Sequence, residues 1–157
     1  MHYSYRLRVI VLFSFVLICS ALTVRSADEV RVPAETSGAP GQVVRVMVAG
    51  TISANGSARI TLEYPHQVVS VRKLTGSGLW AFRCVTPTIV ENVTIDGSRS
   101  RLVVECTDVV TKTNDLLFAI DFEFRQGAEE IGLLVPTALQ SNGTEVTDAV
   151  FTGGVLK

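Results

Sequence analysis

Apolar and polar residues alternate along most of this chain, most regularly in SARITLEYPHQVVSV, Ser57 to Val71. Ala58, Ile60, Leu62 and Tyr64 share one parity, and Arg59, Thr61 and Glu63 the other. Pro65 then breaks the run, and Val69 and Val71 resume it. Successive side chains of a strand point to opposite faces, so this stretch predicts a strand with one side in a core and a polar side in solvent. LLFAIDFEFR repeats the pattern, with Leu116, Phe118, Ile120, Phe122 and Phe124 against Leu117, Ala119, Asp121, Glu123 and Arg125. VVRVMVA sets Val44, Val46 and Val48 on one face, and LWAFRCV does the same with Trp80, Phe82 and Cys84. Leu102, Val104 and Cys106 share a face in RLVVECTDV.

Turn chemistry separates these runs. Pro40-Gly41 suits the central positions of a type II turn, while Asp96-Gly97 and Asn142-Gly143 are hairpin signals. EVRV (29–32), QVVSVRKL (67–74), IGLLV (131–135) and DAVFTGGVLK (148–157) add further extended segments. Sustained helical spacing with caps is missing. The single candidate for a helical turn is PTALQSNG, 136–143. Eight or nine short strands punctuated by Gly, Asn and Pro predict an all-β antiparallel sandwich. Its core would set the Phe118-Ile120-Phe122-Phe124 stripe against Ile60-Leu62-Tyr64.

The first residues follow a different rule. Arg6 and Arg8 precede the apolar run VIVLFSFVLI, 9–18, and TVRSA offers small residues for cleavage after Ser26 or Ala27. The run is shorter than the ~20 apolar residues a spanning helix needs and reads as a signal peptide. The expected organisation is therefore a signal peptide over 1–26 and one domain over 27–157, secreted or held at the cell surface. Removing residues 1–26 takes three of the 14 basic residues (Arg6, Arg8, Arg25) and none of the 15 acidic ones, so the mature net charge is −4. Clustered Lys and Arg, which phosphate binding requires, are missing, and this argues against nucleic acid. Sequons stand at Asn55, Asn92 and Asn142; they carry glycans only in a eukaryotic secretory pathway.

Residues able to do chemistry are few. Cys84 and Cys106 remain after processing; in an oxidising compartment such a pair reads as a disulfide, against the alternative of two buried thiols. His66, the one histidine of the mature chain, follows Pro65 in a turn, where an exposed loop residue is expected and no triad is indicated. One His and two Cys make no zinc site. Asp121-Glu123 and Glu129-Glu130 lack the alternating oxygen donors of a calcium loop and the apolar pocket of a general acid, so both pairs read as solvated surface. Trp80 shares its parity with Phe82 and Cys84, which favours core over a sugar-stacking platform. No enzyme and no cofactor are expected.

With the strands laid out, the chain resembles the cohesin module and, more broadly, the carbohydrate-binding-like sandwiches related to it. APGQVVRVMVAG is similar to that family's opening turn and Val-rich strand. ARITLEYPHQVVSVRKLTGSG resembles its alternating strand ending in Tyr, followed by a turn and a Val-rich strand. LLFAIDFEFRQGAEEIGLLV and NGTEVTDAVFTGGVL resemble the later strand pair and the closing turn and strand. Two features depart from the pattern: Pro65 stands where an acidic residue commonly follows the Tyr, and the two cysteines are not a family feature. The resemblance implies a jelly-roll-like sandwich of about nine strands. It also implies a non-catalytic module that docks a protein, with a dockerin-like partner as the candidate, on a flat sheet face in extracellular or polysaccharide-associated assemblies. The alternative is a carbohydrate-binding module for polysaccharide. The family's strand order, combined with parity, implies one docking patch: Arg59, Thr61 and Glu63; Arg83 and Val85; Arg101, Val103 and Glu105.

Overall fold

β-Branched and aromatic residues at period two form strands nearly everywhere that the alternation appears. A computed structural model of the protein describes residues 27–53, 55–76, 82–110, 115–125 and 131–157. Along the chain these hold β1 (Glu29–Arg31), β2 (Glu35–Thr36), β3 (Val43–Thr51), β4 (Gly56–Pro65), β5 (Val69–Thr75) and β6 (Pro87–Thr94). Then follow β7 (Arg99–Val109), β8 (Leu116–Phe124), β9 (Gly132–Ser141), β10 (Thr144–Glu145), β11 (Val150–Thr152) and β12 (Gly154–Leu156). The expected signal peptide, Trp80 and Glu129-Glu130 lie outside the described residues.

The strands make a sandwich of two sheets. The smaller runs β11-β1-β3-β8-β5 and the larger β2-β12-β9-β4-β7-β6, with β10 paired to β9. All pairings are antiparallel except β1 with β11 and β12 with β2. Ile60 and Leu62 of β4 and Leu102 and Val104 of β7 meet Phe118, Ile120 and Phe122 of β8 in the core, all fully buried. The Tyr64 and Phe122 rings stand 5.6 Å apart between centroids. The stripe read from the sequence is thus the inner face.

The turns form as their residues dictate. Gly41 takes φ 80° and Gln42 N–H donates to Ala39 O at 2.9 Å, closing the Pro40-Gly41 turn. Asn142 and Gly143, at φ 50° and 78°, link β9 to β10 with the two positive angles of a type I′ turn. Asp96 accepts from the backbone N–H groups of Ser98 and Arg99 and from the Arg99 guanidinium. These bonds, led by Ser98 N–H, hold its carboxyl well below the usual range.

Among the described residues there are twelve strands, the short β2 and β10 included, and the closing segment is split into β11 and β12 at Gly153. Three expectations need correction. The stretch 136–143 is not a helical turn: Pro136 lies within β9, opposite Leu62 where the β4–β9 register shifts, and bulges tolerate proline. Asp121 is not solvated surface. It is 9% exposed and clamped by Arg45, Nε to Oδ1 at 2.7 Å and Nη2 to Oδ2 at 2.9 Å. His66 is half-buried, not exposed, with Nδ1 3.2 Å from Ser100 Oγ.

Candidate docking face

The outer side of the larger sheet is built by register. β4 pairs with β7 so that Arg59 lies opposite Glu105, Thr61 opposite Val103 and Glu63 opposite Arg101. On its other side β4 pairs with β9, setting Arg59 beside Gln140 and Thr61 beside Ala138. β6 continues beyond β7, with Glu91 opposite Val103. Since Ile60, Leu62, Leu102 and Val104 are fully buried, their alternates face outward together.

These residues shape a shallow trough of about 610 Å³, with Thr61, Val103 and Ala138 at its centre and Arg59, Glu63 and Arg101 along it. Val103 is itself nearly buried, at 7% exposure, so it is floor rather than contact surface. Ion pairs tie the long side chains down. Arg59 Nη2 donates to Glu105 Oε1 at 2.8 Å, Arg99 Nη1 donates to Glu63 Oε2 at 2.9 Å, and Arg101 lies 3.8 Å from Glu91. In each pair the Arg side chain is the more exposed, 45% against 32% for Arg59–Glu105 and 55% against 21% for Arg99–Glu63. For Arg101–Glu91 the difference is small, 44% against 40%. Exposed pairs of this kind add little stability, but they restrict the rotamers of the side chains they join.

Six of the eight residues expected on the patch come together as register requires or border it: Arg59, Thr61, Glu63, Arg101, Val103 and Glu105. Arg83 does not. It is 5% exposed, and its guanidinium donates to three backbone carbonyls: Ile52 O at 2.7 Å, Val110 O at 3.3 Å and Gly50 O at 3.4 Å. Parity failed here because residues 82–85 are not a strand lying on one sheet. Arg83 N–H and Cys84 N–H donate to Leu116 O and Leu117 O of the smaller sheet, while Val85 N–H donates to Asp108 O of the larger. The segment is a strap between sheets, and Phe82, Arg83 and Cys84 are all buried. Burial, partly offset by Asp28, lowers the Arg83 pKa. Val85 is exposed on this strap and is not among the residues that line the trough.

A disulfide joins Cys84 to Cys106 of β7, with Cα atoms 5.4 Å apart, and locks the strap onto the larger sheet. Sequence reasoning missed Val90, Glu91, Thr137, Ala138 and Gln140. The last three were hidden by reading 136–143 as a turn; Glu91 was legible as the one charge in TIVENVT. Among the described residues no group of three or more His, Cys, Asp or Glu could hold a metal ion.

Neither a protein-family model nor a curated protein matches the sequence. Solved structures do match the fold. The sixth cohesin of scaffoldin B from Acetivibrio cellulolyticus, solved in complex with a Cel5 dockerin mutant, aligns at TM-score 0.61 and 16% identity, over 84% of this chain and 99% of that one. The cohesin CaCohA2 from Clostridium acetobutylicum aligns at 0.56 and 14% identity, over 83% and 90%. A cohesin module of a family 33 glycoside hydrolase from Clostridium perfringens aligns at 0.51 and 14%, over 83% and 94%. The fold is cohesin-like.

Proposed function

We propose that this protein is a secreted, non-catalytic module that docks a protein partner, dockerin-like in kind, on the outer face of the larger sheet. The observation that carries the reading is the trough itself: a floor of Thr61, Val103 and Ala138 flanked by exposed Arg side chains paired to Glu partners. Arg is the charged residue that interfaces favour, through bidentate pairing to a partner carboxylate. The cohesin-like fold supports the same reading, since a solved relative of that fold carries a dockerin. Polysaccharide binding is the weaker alternative, because the trough lining among the described residues includes no aromatic ring for a sugar to stack on.

Calorimetric titration of the domain with purified dockerin modules, and separately with cello-oligosaccharides, tests the proposal. Arg59→Ala and Arg101→Ala should each weaken dockerin binding by more than about 1 kcal/mol, roughly fivefold, with unfolding midpoints unchanged. Unchanged affinity in both variants, or heat only with the oligosaccharide, would sink the docking assignment.

A further inference from the structure

β6 is the outermost strand of the larger sheet and, among the described residues, pairs only with β7. Open edges invite pairing with another chain, and proteins blunt them with short strands, charges or bulges. The other edges among the described residues follow that rule. β2, β10 and β11 have two, two and three residues, and β5 carries the exposed Arg72 and Lys73. β6 has eight residues, PTIVENVT, with Glu91 as its one charge. Ile89, Val90, Val93 and the following Ile95 are 38–46% exposed. Its protection is confined to the first half, where Pro87 opens the strand and a bulge lies between Ile89 and Glu91. From Glu91 to Ile95 the edge is regular and open.

We propose that a second copy of this chain pairs along that stretch, β6 antiparallel to β6, about a two-fold axis at Val93. The backbone fixes the register. Ile95 N–H donates inward to Arg99 O at 2.9 Å. By antiparallel alternation Val93 and Glu91 also turn their backbone groups toward β7, while Asn92 and Thr94 turn theirs to the open side. A two-fold at Val93 sets Asn92 opposite Thr94 of the second copy, and Thr94 opposite its Asn92, so the two outward-facing residues of each edge meet. Val93 then faces its twin in the close, non-hydrogen-bonded position, where side chains pack best. Side-chain faces also match, since the paired residues 91 with 95, 92 with 94 and 93 with 93 have equal parity. A two-fold at Asn92 also matches faces, but it sets Val90 opposite Thr94 and so runs the pairing into the bulge.

Charge does not oppose this occupant. Each Glu91 falls opposite Ile95 of the other copy, and the two Glu91 carboxylates are kept four residues apart along the strands. No like charges are forced together, as an isologous contact requires. The two-fold is perpendicular to the sheet, so both outer faces point the same way and their troughs lie side by side, a bivalent surface if the docking reading holds. The strand pair alone is small, so the dimer is weak and concentration-dependent.

Sedimentation equilibrium over a concentration series, with amide hydrogen exchange at the same concentrations, tests the proposal on residues 27–157. The expected result is a monomer–dimer equilibrium in which the Asn92 and Thr94 amides slow as the dimer fills, while those of the β5 edge do not change. Val93→Lys brings two ammonium groups face to face and should shift the dissociation constant at least tenfold. Thr94→Pro removes an outward N–H that β7 does not use and should do the same. Circular dichroism and the unfolding midpoint check that both variants fold. A monomer at every concentration overturns the proposal. So does a dimer that survives both substitutions, or a monomer whose Asn92 and Thr94 amides slow only on adding an unrelated extended peptide.

Discussion

Replacing Arg83 with Met separates the strap from the docking face. Arg83 is 5% exposed and its guanidinium bridges three carbonyls, of Ile52 just after β3, of Gly50 within it and of Val110 beyond β7. The 2.7 Å bond to Ile52 O is charge-assisted, a class worth about 1.5–3 kcal/mol; the two longer bonds contribute less. Met fills much of the same volume but strips a donor from each carbonyl, and a buried unsatisfied group costs about 1–3 kcal/mol. Against this, burial opposes the charged form, as the lowered Arg83 pKa shows, and removing the cation recovers part of that cost. The balance is a loss of about 2–3 kcal/mol, read as a lower midpoint in urea unfolding of the oxidised protein with the slope unchanged. Dockerin affinity of the folded variant should stay within about twofold, since Arg83 does not reach the trough. Stability within about 0.5 kcal/mol of wild type would refute the clamp. Lost affinity with stability intact would return Arg83 to the docking face.

Two further outcomes follow from the same contacts. Cys84 and Cys106 are 22 residues apart, so opening the bridge should cost about 3 kcal/mol by loss of loop-closure constraint on the unfolded chain; thiol titration of the denatured, unreduced protein should find none of these two free, and two titratable thiols would show the bridge to be absent. Asp121 has its pKa lowered, first by the hydrogen bond from Arg45 and then by the charges of Arg45 and Lys73 against an opposing burial effect. Its stabilisation is therefore complete above the ordinary Asp pKa of about 4 and is lost as pH falls through the lower folded value. Asp121→Asn should flatten the acid limb of the stability profile below about pH 5, and an acid limb identical to wild type would contradict the clamp.

How much of this was legible in the sequence depended on whether a segment is a strand. Parity placed Ile60, Leu62, Phe118 and Phe122 inside and Arg59, Thr61, Glu63 and Arg101 outside because β4, β7 and β8 are long and regular. The same rule misplaced Arg83, since a strap hydrogen-bonded to both sheets buries successive residues whatever their parity. It also misjudged Asp121, which is outward by parity but roofed by Arg45 from the neighbouring strand, a cross-strand contact that no single-strand pattern contains. Pro136 hid β9, and with it one wall of the trough, because a proline inside a strand is tolerated only where the partner register shifts. That shift belongs to β4 and β9 together. The cysteine pairing was legible from composition and from the compartment that the expected signal peptide implies, whereas its work in fastening the strap needed the fold.

The central claim is that the outer face of the larger sheet receives a protein. The most direct test is to titrate the isotope-labelled domain, residues 27–157, with each member of a panel of purified dockerin modules and map the amide shifts by NMR. The account predicts shifts concentrated at Arg59, Thr61, Glu63, Arg101, Val103 and Ala138, abolished in the Arg59→Ala, Arg101→Ala double variant. Shifts mapping to Arg45, Arg72 and Glu123 on the opposite sheet, or no shifts with any module, would contradict it.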